Sequence, residues 1–205
     1  MGESDLEKKV ASEPPKVGFF RRAVREVWDF GKILFFAALI VIPIRYFIAQ
    51  PFIVKGASME PTFHEYNYLI VDEVSYLFRE PARGEVVVFR FPLDPSDYFI
   101  KRVIGLPGET VTISGGKVMV ADSPESEPEV LHEPYLPEGV VTSGERSWMM
   151  KPDEYFVMGD NRAFSLDSRR WGVLPKENIT GRVAFRAWPI AAAGFVPFEA
   201  PTENP

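Results

Sequence analysis

The sequence predicts a mainly β protein: an antiparallel barrel- or sandwich-like domain with a small β-rich insertion, behind one N-terminal transmembrane helix. Three observations lead there. From residue 50 onward, short runs rich in β-branched and aromatic residues follow one another with no sustained helical period. The 205 residues include 15 Gly and 19 Pro, a density of turn formers that disfavours a helical bundle. One apolar stretch, residues 33–44, stands apart near the N-terminus behind a basic flank.

The N-terminal elements come first. Residues 1–15 are polar and mixed in charge, the composition of a disordered end. Arg21, Arg22, Arg25 and Lys32 then lead into the apolar stretch. Its uninterrupted length is twelve residues, short of the roughly 20 that span a bilayer. If Arg45 snorkels to an interface, the segment extends to Ala49 and spans with local thinning. A buried helix, a cleaved signal peptide and an uncleaved signal anchor all remain open. Bulky Phe47 at the position where a cleavage site wants a small residue disfavours cleavage, and the anchor is preferred. The basic flank then puts the N-terminus in the cytoplasm and everything after Ala49 outside. Residues 1–30 are thus a cytoplasmic tail and 31–49 the single-pass anchor.

The β runs follow at 68–72, 84–91, 98–104, 110–113, 117–120, 154–158 and 180–186. Ser114-Gly115-Gly116 is a hairpin signal between the fourth and fifth. Residues 121–129 are acidic and Pro-rich, so 115–152 reads as an inserted flap. The main β domain is then 50–114 with 153–190, and 191–205 is a C-terminal tail.

Composition narrows the chemistry. Cysteine is absent, which removes disulfides, thiolate catalysis and Cys-ligated metals. The only histidines are His64 and His132, too few for a His-based metal site, so neither metal nor cofactor is expected. The net charge is −6, and beyond residue 32 it is −7, the wrong sign for a nucleic-acid binder. Nucleophilic chemistry falls to Ser or Thr with an unusual base.

Three places stand out. Strand alternation puts Lys101 and Arg102 on opposite faces, so one of the two cations shares the apolar face. A desolvated lysine loses charge and becomes a base; a snorkelling or edge-guarding lysine is the structural alternative. Ser58, in Gly56-Ala57-Ser58-Met59-Glu60-Pro61-Thr62, sits among small residues in a loop that backbone can approach. It is an ordinary turn serine or an accessible nucleophile, and His64 beside Glu65 offers a weaker Ser–His pairing. Residues 158–172 alternate in charge among Gly, Phe and Trp, which suits either a solvated loop or a partly buried ion-pair network.

Taken together, four segments resemble the bacterial type I signal peptidases, the Ser–Lys membrane proteases that remove signal peptides. They are Ser58-Met59-Glu60-Pro61-Thr62, Arg83-Gly84-Glu85-Val86-Val87-Val88-Phe89, residues 101–109, and Gly159-Asp160-Asn161-Arg162 with Ser165-x-Asp167-Ser168-Arg169. The resemblance runs from the anchor to about Trp188. It implies Ser58 as nucleophile, Lys101 as general base and Ser165 as the hydroxyl that orients the lysine. It implies structural ion pairs of Arg102 with Asp160 and of Asp167 with Arg169. The oxyanion would be held by the Ser58 backbone N–H and the Gly56 region. The substrate would enter as an extended strand between about 50–54 and 98–101, its small −1 and −3 residues meeting Val54, Met59, Phe99 and Ile100. Partners implied are signal peptides of exported preproteins and membrane lipid, at the bacterial cytoplasmic membrane; nothing in the sequence sets the oligomeric state.

Three departures mark this chain. Gly56 replaces a serine of some relatives, Ala163-Phe164 replaces an Asp-Asn pair, and the insertion is short and lacks cysteine. Two other functions compete with the family reading: a self-cleaving Ser–Lys protease, and a catalytically silent β domain that binds extended peptides.

Overall fold

The computed structural model describes residues 17–43, 49–123, 125–197 and 202–203. The chain separates into two compact units, 1–44 and 45–205. The expected disordered end lies outside the described residues, as do residues 44–48 of the expected anchor and most of 198–205.

In the first unit, α1 (Val17–Pro43) is 27 residues long. Its sequence holds no Pro before the last position, so no missing backbone N–H interrupts the helix ahead of Pro43. Lys32 pairs with Asp29 at 2.7 Å on its surface. These charges, with the arginines upstream, confine its unbroken apolar part to residues 33–43. Among the described residues no helix is long and apolar enough to cross a membrane.

The second unit is β throughout its core. In chain order its strands are β1 (Ala49–Ile53), β2 (Tyr68–Asp72), β3 (Val86–Phe91), β4 (Asp94–Gly105), β5 (Thr110–Ser114), β6 (Lys117–Ala121), β7 (Glu129–His132), β8 (Arg146–Met149) and β9 (Glu154–Met158). One turn of helix, α2 (Ser168–Trp171), precedes β10 (Leu174–Pro175), β11 (Ile179–Trp188), β12 (Gly194–Phe195) and β13 (Thr202–Glu203). Every pairing is antiparallel. The strands form two sheets. The first runs β1-β2-β11-β3-β4-β9-β10 with β12 on β11; the second runs β13-β7-β6-β5-β8.

The expected mainly β, antiparallel class holds, but neither sheet closes into a barrel. The reason lies in β4. Its partner β9 has five residues and reaches only Arg102–Gly105, so residues 94–101 pair, among the described residues, with β3 alone. At the other end of the sheet, β1 pairs only with β2 among the described residues. The sheet curls far enough to bring Phe52 of β1 within 5.4 Å of the Tyr98 ring of β4, centroid to centroid. Two unpaired edges therefore face a common opening.

Burial follows the strand period. Val86 and Val88 of β3 join one core with Val54, Met59, Phe63 and Leu69, while Val87 and Phe89 join another with Val103, Tyr155 and Val157. Burial on both faces makes β3 a continuous apolar run. The second sheet has its own core around Val111, Ile113, Val120 and Trp148, which Phe156 and Met158 of β9 share. Alternate residues of β9 thus fasten the two sheets together.

Candidate active site

Ser58 lies on the turn that follows β1. Gly56 takes φ +80°, a left-handed conformation that favours glycine. A Cβ there would meet nothing within 4 Å, so backbone conformation, not space, sets the residue type. The turn is pinned from below by Met59 and Phe63, both fully buried. From the side it is pinned by Asn161, whose N–H donates to Ser58 O at 3.1 Å and whose Nδ2 donates to Ala57 O at 3.0 Å. Among the described residues the Ser58 N–H itself donates no hydrogen bond.

Lys101 comes from β4, in register with Val87. It is 3% exposed, and its Nζ lies 2.8 Å from Ser58 Oγ and 2.8 Å from Ile100 O. Phe99 shields it, with its ring centroid 5.4 Å from the amine. Burial pushes the amine's pKa down to about 8, against the pull of Asp167 and Asp160. Among the described residues no carboxylate touches Nζ, so desolvation wins. A lysine so placed gives up its proton far more readily than one in water.

Arg102, one residue on, has the opposite surroundings. Its Nε donates to Asp160 Oδ1 at 2.9 Å and its Nη2 to Oδ2 at 2.6 Å, a bidentate pair with both side chains buried. Thr62 Oγ1 adds a bond to Asp160 Oδ2 at 2.5 Å. Asp167 is chelated by Arg169 through Nε and Nη2, each at 2.8 Å, and accepts from Gly159 N at 3.1 Å. Burial raises the Asp167 carboxyl, but Arg169, the Ser165 hydroxyl and the Gly159 N–H more than offset it and leave its pKa below the usual carboxylate range.

Ser165 is enclosed beside this pair. Its Oγ makes no hydrogen bond of ordinary geometry, although it lies close enough to Asp167 to help hold that carboxylate ionised. The contact to Lys101 Nζ that would orient the amine is absent here; the Ile100 carbonyl occupies that role. Gly159 sits between Ser165 Oγ and Ser58 O, so close that a Cβ would overlap both. His64 is directed elsewhere: its Nδ1 lies 3.4 Å from Glu60 Oε1, and Glu65 accepts from Gly56 N.

A cleft of about 580 Å³ opens beside Ser58 and Lys101 between β1 and β4. Phe52, Val54, Tyr98, Phe99 and Ile100 line it together with Leu166. Three of the four expected pocket residues are therefore in its wall. Met59 is not: it faces inward, where it packs with Phe63, Leu69 and Val71 in the core. Asn161, Thr62 and Leu166 carry parts of the site that the sequence did not single out. Asn161 lies inside the quoted Gly159–Arg162 motif, which was the one signal for it.

The comparisons with known proteins agree with this geometry. A family model described as signal peptidase, peptidase S26, matches residues 27–188. A probable signal peptidase I-2 of Synechocystis is 38% identical over 85% of this chain and 79% of its own length. Signal peptidase I of Leptolyngbya laminosa is 37% identical over 80% of each chain. A thylakoidal processing peptidase of Arabidopsis thaliana is 37% identical over 78% of this chain and 48% of its own. The protein is a serine peptidase and belongs to the signal peptidase family, peptidase S26.

Proposed function

We propose that the protein removes signal peptides from exported preproteins with Ser58 as nucleophile and Lys101 as general base. The observation that carries this reading is the 2.8 Å approach of a buried, carboxylate-free lysine to a serine hydroxyl. Neutral Lys101 accepts the Ser58 proton as Oγ attacks the scissile carbonyl. The Ser58 N–H, unbonded among the described residues, donates to the developing oxyanion, a term worth about 2.7–4 kcal/mol per donor. The lysine then gives its proton to the leaving amine. A water, deprotonated by the same amine, hydrolyses the acyl-enzyme and restores Ser58.

The substrate enters as an extended strand between the free edges of β1 and β4. Main-chain pairing supplies affinity, and side-chain hollows supply selectivity. Val54, Phe99 and Ile100 form shallow apolar walls beside the dyad, which suits small residues at −1 and −3. Ser165 and the Asp167–Arg169 pair act as the packing behind the amine. In this reading residues 31–49 anchor the protein in the bacterial cytoplasmic membrane. The N-terminal tail is then cytoplasmic, and the β domain and its flap lie outside. The basic flank of the apolar stretch supports the orientation, and the exposed apolar residues of α1, Trp28, Phe35, Phe36 and Leu39 among them, support the anchoring.

A serine-directed acylating probe tests the chemistry. It labels the wild-type chain at Ser58 and fails on Ser58→Ala and on Lys101→Arg. Labelling of folded Lys101→Arg at the wild-type rate contradicts the mechanism.

A further inference from the structure

None of the residues lining the cleft comes from the second sheet. Yet one cluster of buried polar groups ties the two together. Arg162, on the loop after β9, is 3% exposed. Its Nη1 donates to Glu133 Oε2 and to Thr142 Oγ1, both at 2.8 Å, and its Nη2 donates to Glu133 Oε1 at 2.5 Å. Its Nε turns back to Gly159 O at 3.1 Å. Glu133 and Thr142 both belong to the insertion: Glu133 follows β7, and Thr142 is tied to the β5–β6 hairpin by its N–H to Gly116 O at 2.9 Å.

A second route starts at the same carboxylate. Tyr135 OH donates to Glu133 Oε1 at 2.5 Å, and the Tyr135 ring lies 3.8 Å beneath the Arg102 guanidinium. Arg102 in turn chelates Asp160. The first route ends on Gly159 and the second on Asp160, next to Asn161, the residue that grips Ala57 O and Ser58 O. Glu133 is the one carboxylate that bonds Arg162 among the described residues.

We infer that Glu133 is a positioning residue: through Arg162 and Tyr135, the second sheet latches the Gly159–Asn161 loop and thereby fixes Ser58 against Lys101. The inference rests on the dyad reading above. The insertion then serves catalysis without touching substrate. A small displacement of reacting atoms lowers a rate by orders of magnitude, whereas the cleft walls that set affinity stay where they are. The effect of releasing the latch therefore falls on kcat and not on KM.

The test uses the full chain in detergent micelles with a peptide that carries small residues at −1 and −3. Glu133→Gln lowers kcat about tenfold or more and leaves KM within about twofold. Arg162→Gln falls comparably. The double variant falls no further than the worse single one, because both act through one contact. Near-UV circular dichroism checks that each variant is folded. If Glu133→Gln does not fold, Tyr135→Phe carries the test: it keeps the ring under Arg102, loses only the hydroxyl, and lowers kcat a few-fold with KM unchanged. Wild-type kcat in the folded variant, a loss confined to KM, or additive losses in the double variant overturn the inference. Ser58→Ala is measured alongside. Activity in Ser58→Ala overturns the dyad reading itself, while an inactive Ser58→Ala beside a wild-type Glu133→Gln overturns the latch alone.

Discussion

The two faces of β4 carry neighbouring cations into opposite surroundings. Lys101 reaches an apolar cleft wall with a hydroxyl and a carbonyl for partners, and Arg102 reaches a carboxylate that chelates it. Both are almost fully buried, at 3% and 2% exposure. Burial alone therefore does not make a base. Desolvation lowers the Lys101 pKa where no anion is in contact, whereas on the other face Asp160 meets the cation directly. The residue types fit the division. An ammonium gives up its proton when desolvated, and a guanidinium keeps its charge and bonds in a fixed fork.

Substitutions at the two cations break the comparison hardest. Lys101→Arg installs a group that does not deprotonate, so peptide cleavage falls by at least about 10³-fold while the protein stays folded. Arg102→Met leaves Asp160 buried with only Thr62 and the surrounding apolar groups, and unfolding in urea shows a loss of about 3–5 kcal/mol. If Lys101→Arg were active, or Arg102→Met as stable as wild type, the contrast between the faces would fail.

A smaller effect probes how the two regions are held together. Gly159→Ala puts a methyl where Ser165 Oγ and Ser58 O already lie. One of them moves, and kcat drops about 10- to 100-fold with KM little changed. The smallest effect is at Gly56. Its Cβ position is open, but φ is +80°, so Gly56→Ser loses about 1 kcal/mol of stability in urea. Its new hydroxyl beside the Ser58 turn leaves kcat/KM equal to or above wild type, and a large fall would place steric access above oxyanion donation.

What could be read from the sequence divides in the same way. The strands with clean alternation, such as β2 and the β5–β6 hairpin, and the continuous apolar run of β3 are visible as local pattern. The start of β4 is not. Pro92 ends the preceding run and Pro95 lies inside the new strand, which is allowed because that stretch of β4 is an edge with exposed residues. The strands β7 and β8, which come at and after the end of the acidic, Pro-rich 121–129 stretch, are four residues each, too short to show a period. For the site, alternation says that one cation of the Lys101–Arg102 pair is buried beside apolar groups. The choice between them depends on Asp160, 58 residues away, which no local pattern supplies. The family resemblance supplied it instead. Glu133 carried no such mark: in an acidic stretch its carboxylate reads as solvated, and only the fold brings Arg162 to it.

The pH dependence of kcat/KM tests the central claim most directly. Folding lowers the Lys101 pKa from 10.5 to about 8, and only the neutral amine accepts the Ser58 proton. Activity therefore rises tenfold per pH unit below about 8 and levels above it, with the limb set by one group. The same shift makes stability rise between about 8 and 10.5, where the unfolded chain holds a proton that the folded chain has released, and the penalty is fully present below 8. A plateau that begins near pH 8 is the result the account predicts. A flat profile between pH 6 and about 9, or a limb that continues to the ordinary lysine value near 10.4, would contradict it.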